Sequence, residues 1–503
     1  MLLRWIYQIW RIIWYAFLGL ITAIVLTGLV LYVTLQRNDV QRFLAHRVEN
    51  AFNANYKGHI SIGGMGGDIP FNIVLTKVRL TYAGPDSQYV SSSPVFDCDS
   101  VAFSVNLWDL IRRRINVTRF NIKHPTIRFN SMGDSTYTVL QALRRRSVDT
   151  TKTQLLIFKD MNIYAPQLQM EGGVMNLDRL HYTPPNVEIP TPLKLQDVNM
   201  QIFLELNNDQ RFLDIERFHA SIPNTFANHV DVSGQLYNDK KLLEFNRFVV
   251  KTTQSRVELN GDIDGVDLYK GDWYGQIKDA RYQLSMDSCR VYLSEFADIF
   301  PGLPLVNTPF VFNVKARGTL SDLNLQQLDL TFNKSRLDVT GQIKNLEQKD
   351  RLSYDLKLDT LRVSGVDLHH FPHSKWADNF KDWGRLYLNG SLNGTLDTLS
   401  VTSDLHLPTG EVQLLANTQL EKPYRYSVNL TGNNIVLDSL KTLGSLRGVI
   451  NLKAKLNGKG INKDNASANA VVNVTKSRIN DLPVDQFTVN ATLSDGFFEP
   501  NIV

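Results

Sequence analysis

Alternating apolar and polar positions dominate the chain after residue 58. In LSYDLKLD (352–359), Leu352, Tyr354, Leu356 and Leu358 fall on one side of an extended strand, and polar residues fall on the other. The same period of two recurs in FVFNVKARG (310–318), GRLYLNGSLNG (384–394), VINLKAKLNG (449–458) and ASANAVVNVT (466–475). The pattern predicts a mainly β protein built from many antiparallel strands, each with one apolar face.

Asn-Gly pairs in these stretches indicate where strands end and turn. They occur at Asn260-Gly261, Asn389-Gly390, Asn393-Gly394 and Asn457-Gly458. The four pairs therefore predict hairpin turns.

Few helices are available to cover the apolar strand faces. Short helical candidates occur at 106–114, 137–146, 289–300 and 369–383. Roughly two dozen strands need more cover than these supply, so the faces meet in a sandwich, wind into a solenoid, or stay open for an apolar ligand. Periodicity does not choose among the three. The apolar positions of the clearest strands are Phe310, Phe312, Val314, Leu352, Tyr354, Leu356, Leu358, Leu386, Leu388, Ile450, Leu452, Leu456, Val472 and Val474.

The N-terminus carries a candidate membrane span. Residues 12–35 contain no charge and are long enough to cross a bilayer core, and tryptophan and tyrosine cluster at the start, with Tyr32 near the end. A cleaved signal peptide would need a small-x-small site, and LYVTLQRND offers no convincing one. Residues 1–36 are therefore predicted to be an uncleaved anchor. Positive charges balance across the span, so they do not set its orientation.

A second helical stretch follows in residues 37–57. Val40, Phe43, Leu44 and Phe52 recur at helical spacing, together with Val48. A helix packed on the first strands is the commoner outcome for such a pattern, and a helix on the membrane surface is the alternative.

Length and composition favour an elongated folded chain. With 503 residues, 43% of them hydrophobic, the chain exceeds one ordinary core. The segment 255–265 echoes 335–345, and 318–345 resembles 394–420, which indicates a repeating array. The net charge of +4 is too small to predict a nucleic-acid partner.

Catalytic and metal-binding signatures are missing from the sequence. His369, His370 and His373 have no carboxylate or cysteine that completes a metal geometry, so they read as a surface loop. Cys98 and Cys289 could pair in an oxidising compartment, but two ordinary small residues are favoured. Acidic residues are scattered as solubilising positions. We therefore expect no enzyme activity, metal or cofactor.

The order of segments in the first 200 residues resembles a known family. The anchor and amphipathic helix precede GHISIGGMGGDIPFNIVLTKVRLTYAGPDS, then CDSVAFSVNLWDLIRRRINVTRFNIKHPTIRF, and then YTVLQAL. This order is similar to the N-terminal region of the AsmA-like superfamily, and within it to the TamB-type translocation and assembly module proteins. Residues 58–200 form the family-like β region, and residues 201–503 agree only as repeated strands.

The resemblance implies a fold, a place and a function. It implies a bacterial inner-membrane anchor with a cytoplasmic N-terminus, and a periplasmic body shaped as an elongated, curved, taco-like antiparallel β-groove with few helices. Such a groove would conduct phospholipids between the inner and outer membranes, with acyl chains on the fourteen apolar positions above. The alternative is a scaffold that assists outer-membrane β-barrel assembly with a barrel partner.

Two arginine triplets are candidates for contact with anionic lipid headgroups, and solvated turn positions are the alternative. They comprise Arg112, Arg113, Arg114, Arg144, Arg145 and Arg146.

One departure concerns the end of the chain. TamB-type chains usually continue to a C-terminal domain, whereas this sequence stops at GFFEPNIV. We therefore expect a fragment or a shorter member of the superfamily.

Overall fold

A computed structural model gives the fold of two compact units, Met1–Ser233 (unit 1) and Gly234–Val503 (unit 2). It describes residues 2–83, 94–105, 117–132, 137–144, 146, 163–177, 192–206, 210–223, 225, 227–267, 273–300, 306–368, 385–407, 410–422, 424–439, 446–460, 466–494 and 497–503.

Helices are few in the described part of the chain. The α-helices are α1 (Leu2–Leu35), α2 (Asn38–Asn55), α3 (Thr138–Ala142), α4 (Trp273–Asp279) and α5 (Gly365–Leu368). Short 3-10 turns lie at Leu293–Phe296, Lys349–Arg351 and Leu437–Ser439.

The helix predictions had mixed outcomes. Helix α1 contains a segment long and apolar enough to cross a membrane, Trp14–Leu35. The candidate at 137–146 is confirmed in part, because α3 covers only its residues Thr138–Ala142. The candidate at 289–300 is wrong, because its first residues end a strand and only a 3-10 turn follows. The candidates at 106–114 and 369–383 lie outside the described residues.

The described strands number 24 and belong to one hydrogen-bonded sheet, which confirms a mainly β fold. The pairings are antiparallel, apart from those of β6 with β4 and β5. The strands that begin in unit 1 are β1 (His59–Gly66), β2 (Asn72–Thr81), β3 (Phe96–Val105), β4 (Val117–Lys123), β5 (Thr126–Phe129), β6 (Ile163–Leu177), β7 (Leu193–Leu206), β8 (Arg211–Ser221) and β9 (His229–Asn238). Those of unit 2 are β10 (Leu242–Lys251), β11 (Arg256–Asp264), β12 (Arg281–Val291), β13 (Phe310–Gly318), β14 (Asp322–Phe332), β15 (Ser335–Lys344), β16 (Ser353–Ser364), β17 (Arg385–Thr395), β18 (Thr398–Leu407), β19 (Gly410–Gln419), β20 (Arg425–Val436), β21 (Gly448–Lys459), β22 (Ser467–Ile479), β23 (Leu482–Ser494) and β24 (Phe497–Ile502).

In unit 1, helix α2 covers the apolar side of the first strands. Ala45 packs against Ile62 of β1, against β2, and against Cys98 of β3, all of them buried. This confirms a helix packed on the strands. The predicted contact face is wrong in part, because Phe43 is 57% exposed and Val48 is also exposed. The small side chain of Ala45 lets the helix approach the sheet closely.

Helix α2 also closes the outer edge of β1. The Asn53 side-chain amide donates to the Ile60 carbonyl at 3.1 Å, and the Ile60 N–H donates to Asn53 Oδ1 at 2.7 Å. The Ile62 N–H donates to the Glu49 carboxylate. These polar groups turn towards the sheet because an unpaired strand edge leaves backbone donors and acceptors to be satisfied.

Both cysteines are free thiols in buried positions. Burial raises the pKa of the Cys98 thiol to about 11, and it also raises the pKa of Cys289. Because the thiolate is the reactive form, both side chains are expected to be inert at neutral pH. Of the two sequence readings, the structure favours small buried residues.

Unit 2 contains three successive copies of a four-strand repeat. The repeats are β11–β14, β15–β18 and β19–β22. In each repeat a short helical turn directly follows the second strand, at Leu293–Phe296, at α5 and at Leu437–Ser439. The predicted internal repeat therefore corresponds to pairs of hairpins.

A buried carboxylate fastens the start of the first repeat. Glu295 lies in the helical turn after β12 and accepts hydrogen bonds from Thr252 Oγ1 at 2.6 Å and from the N–H groups of Gln254 and Ser255 at 2.8 and 2.9 Å. The Ser255 hydroxyl accepts from the Tyr292 N–H at 2.9 Å. The carboxylate thus caps the turn before β11.

The second repeat uses the same device. Asp367 is buried in α5 and accepts from Asn333 Nδ2 at 2.6 Å, from the Lys334 N–H at 3.0 Å and from Ser335 Oγ at 2.7 Å. Ser335 Oγ in turn accepts from the Ser364 N–H at 3.0 Å. The echoing sequences 255–265 and 335–345 therefore begin at equivalent serines.

Replacing Glu295 by glutamine tests the cap. Glutamine keeps the size but replaces one carboxylate oxygen by an NH2 group, so one of the two backbone donors, Gln254 N–H or Ser255 N–H, loses its acceptor. We expect the free energy of unfolding to fall by about 1–3 kcal/mol, with faster amide hydrogen exchange in residues 252–255. Glu421→Gln, at an exposed turn position, is the control and should change neither quantity.

Equal stability and exchange in the Glu295 and Glu421 variants would show that the buried carboxylate is not needed for the turn.

Candidate functional site

Apolar residues of unit 2 align in a row that crosses fourteen strands, from β10 to β23. The register of each strand pair places these residues opposite one another, so they share one face of the sheet. We call this the central row. Its members are Phe245, Gly261, Leu284, Ala316, Leu325, Gly341, Leu356, Leu392, Val401, Ala416, Val428, Leu456, Ala470 and Ala491.

Three further rows lie on the same face, and the four rows together define the apolar face. One side of the central row carries Leu243, Ile263, Tyr282, Gly318, Leu323, Ile343, Tyr354, Gly394, Leu399, Thr418, Tyr426, Gly458, Ala468 and Leu493. The other side carries first Leu259, Met286, Val314, Leu328, Val339, Leu358, Gly390, Ser403, Leu414, Leu430, Ala454, Val472 and Val489. Beyond it run Cys289, Phe312, Leu330, Leu337, Leu361, Leu388, Leu405, Val412, Gly432, Leu452, Val474 and Phe487.

Most residues predicted from sequence fall in these rows. Phe310, Leu386 and Ile450 lie one pair further along, opposite Phe332, Val363 and Ile435, all on neighbouring strands. Leu352 precedes β16 and has no register partner. The structure therefore gathers thirteen of the fourteen candidates onto a single face.

The opposite face of the same strands is polar. In β16, Asp355, Lys357 and Asp359 are exposed, while Leu356 and Leu358 between them are half-buried. The row behind the central row reads Glu244, Asp262, Gln283, Arg317, Asn324, Gln342, Asp355, Asn393, Ser400, Asn417, Ser427, Asn457, Asn469 and Thr492.

The apolar face has no covering layer in the described part of unit 2. Each strand makes its main contacts with its neighbours along the chain, and no second sheet packs on it there. Of the fourteen candidates, only Val474 is buried, and the others remain half-buried. One end of the face is closed locally, where Ile277 of α4 packs near Ile263 and Tyr282. The described residues of unit 2 therefore do not form a sandwich among themselves.

Strand β14 supplies face residues that sequence periodicity missed. Leu323 and Leu325 face the same side as Leu328 and Leu330, although the spacing between the pairs is odd. A β-bulge between Leu325 and Leu328 reverses the parity of the alternation. The signal was present as LNLQQLDL, in which two adjacent glutamines interrupt the alternation.

Asparagine side chains support the bulges. Arg247 has a left-handed φ of 45°, and its N–H donates to Asn260 Oδ1 on the next strand at 2.6 Å. The same arrangement joins Ser288 to Asn313 at 2.6 Å and Asn434 to Asn451 at 2.7 Å. The side chains satisfy backbone donors that a bulge removes from the ladder.

The prediction that the four Asn-Gly pairs form hairpin turns is wrong, because every pair lies within a strand. Asn260-Gly261 and Asn389-Gly390 lie inside β11 and β17. The pairs at 393–394 and 457–458 lie near strand ends. Gly261 has φ of 129°, so glycine serves the path of a strand there rather than a turn.

The arginine candidates are only partly described. The Arg146 guanidinium donates from Nε to the Tyr56 carbonyl at 2.8 Å, beside the C-terminal end of α2. This contact gives Arg146 a structural role, and headgroup contact by Arg144, which is exposed, stays a prediction. Arg112, Arg113, Arg114 and Arg145 lie outside the described residues, as do His369, His370 and His373.

Comparisons of the chain with protein families, with curated proteins and with solved structures give no match. Within the described ranges, no group of three or more histidine, cysteine, aspartate or glutamate side chains is placed to hold a metal ion. The apolar face is therefore the candidate functional surface of the described part of unit 2.

Gly341→Ala tests whether the central row requires glycine. Gly341 has φ of 144°, and a Cβ there would lie 2.2 Å from the Asp355 carbonyl oxygen of β16. We expect the substitution to reduce the free energy of unfolding by about 2 kcal/mol or more, measured by urea denaturation. Gly66→Ala is the control, because a Cβ there meets nothing within 4 Å. Equal stability of both variants would contradict the assigned backbone path.

Proposed function

We propose that the chain is a single-pass membrane protein whose apolar face holds the acyl chains of phospholipids and conducts them between two membranes. The observation that carries the proposal is the face itself, whose four rows are mainly apolar and whose members are mostly half-buried across unit 2. An apolar surface of this extent needs a partner, since large exposed patches on soluble surfaces are rare.

The energetics favour a lipid occupant. Burying a methylene group yields roughly 0.8 kcal/mol, so an acyl chain gains on the order of 10 kcal/mol on such a surface. The attraction is non-directional, and the rows repeat the same chemistry from strand to strand, so a chain can move along the face at little cost. The thirteen spacings between fourteen strands, at about 4.8 Å each, give the central row a length of about 60 Å.

The anchor supports the membrane part of the proposal. The segment Trp14–Leu35 is apolar over 22 residues and exposed, as a lipid-facing helix would be. We place the anchor in a bacterial inner membrane and the body in the periplasm, with the outer membrane as the destination. This placement follows the resemblance to AsmA-like proteins.

Photo-crosslinking from neighbouring positions of one strand tests the occupant. A benzoylphenylalanine at Leu356 lies on the apolar face, and one at Lys357 lies on the polar face of the same strand. In cells, we expect Leu356 to cross-link to phospholipid and Lys357 to give none, as measured by mass spectrometry of the purified chain.

Cross-links from Leu356 to polypeptides alone would replace the conduit by the alternative, a scaffold for outer-membrane β-barrel proteins. Equal lipid labelling from both positions would contradict an occupant specific to the apolar face.

Lipid co-purification provides an independent test. We expect several phospholipids to remain with the full chain after detergent is removed, and to be lost in the double variant Leu356→Asp, Leu452→Asp, because acyl chains on the face would remove water from unpaired carboxylates at a high cost in free energy. Leu415→Asp is the matched control, since Leu415 is 42% exposed on the polar face of β19. Circular dichroism should show that all variants fold. Lipid retention in the double variant would contradict the proposal.

A further inference from the structure

The turn between β1 and β2 is fastened to the end of the apolar helix. The Tyr32 hydroxyl donates to the Asp68 carboxylate, and Gln36 Nε2 donates to the Ile69 carbonyl at 3.0 Å. Tyr32 lies in the last turn of the Trp14–Leu35 segment, and Gln36 follows that segment directly. The two contacts place residues 67–71 at the level where the apolar segment ends.

The turn presents one aromatic side chain to its surroundings. The Asp68 carbonyl accepts from the N–H groups of Phe71 and Asn72 at 2.8 and 2.9 Å, which closes the turn. Ile69 is buried, with 4% of its surface exposed, whereas Phe71 is 52% exposed at the tip. The turn is therefore held from both sides while the phenyl ring projects outwards.

The exposure of Phe71 matters because of where the residue lies relative to the apolar helix. A single exposed aromatic residue is ordinary on a protein surface in water. Beside the end of a membrane-spanning helix, however, the surroundings are lipid headgroups and upper acyl segments, where apolar side chains of surface-bound elements bury.

We propose that the turn Gly67–Phe71 is a second membrane contact, which inserts Phe71 into the boundary between headgroups and acyl chains. The partner is the phospholipid bilayer surface. The contact rests on the proposed anchorage by α1, and it does not depend on lipid conduction by unit 2. Two contacts fix the angle of the first hairpin to the membrane, whereas α1 alone would only tether it.

An environment-sensitive probe at residue 71 tests the contact in the full chain. The native thiols are buried and burial raises their pKa values, so NBD maleimide will label Phe71→Cys selectively at neutral pH. The labelled protein is reconstituted into two sets of phosphatidylcholine vesicles, one with lipids that carry a nitroxide near the headgroup, to read position 71, and one with the nitroxide deep on the acyl chain, to read position 25 at the middle of the apolar segment.

Two other positions calibrate the result. Val25→Cys, within the apolar segment, reports whether α1 is inserted. Leu482→Cys, 68% exposed at the first residue of β23, reports how the probe behaves on a surface beside a turn.

The expected result is a blue-shifted emission at position 71, with quenching severalfold greater than at position 482. Quenching at 25 combined with the same weak quenching at 71 and 482 would overturn the inference and leave the anchor intact. No quenching at 25 would overturn the anchor and the inference together.

Discussion

Cross-strand register is the constraint on which unit 2 depends. Side chains alternate between the two faces of a strand, so a slip of one residue in any pairing would move apolar rows into water from that strand onward. The bulges add a second requirement, because each one reverses the parity of its own strand. In the paired strands β12 and β13, Met286 faces Val314 before the bulge and Cys289 faces Phe312 after it. The four rows stay unbroken because each bulge adds one residue to its own strand, while the neighbouring strand keeps its spacing of two residues between the same two rows.

The two units treat their apolar strand faces differently. In unit 1, α2 lies on the first strands and buries their side chains around Ala45. In the described part of unit 2, the helices are too short to do the same, and the face keeps its side chains half-buried. The strands of both units alternate apolar and polar residues. The units differ in whether a helix covers the apolar side of those strands. The apolar face of unit 2 is a candidate binding surface because many of its apolar side chains are only partly buried.

Sequence reasoning reached the strands and the face through local periodicity. The alternation at 352–359 and 449–458 could be read directly, because β16 and β21 keep one parity through those residues. Where a bulge intervenes, as in β14, the parity depends on the neighbouring strand, which local sequence does not contain.

Long-range contacts explain the remaining errors. Residues 289–300 fit a helical spacing, yet Cys289 pairs with Phe312 across the sheet. Acidic residues looked like scattered solubilising positions, but Glu295 and Asp367 are buried caps for turns more than thirty residues earlier in the chain.

The four-strand repeat has a consequence for how such a chain can change in evolution. Because the repeat holds an even number of strands, duplication or deletion of one whole repeat leaves the strands that follow with the same direction and with their apolar side chains on the same face of the sheet. The sheet can therefore be resized in steps of about 19 Å, four strand spacings, without redesign of the junctions. The length of the sheet is then a heritable quantity that is set by the number of repeats.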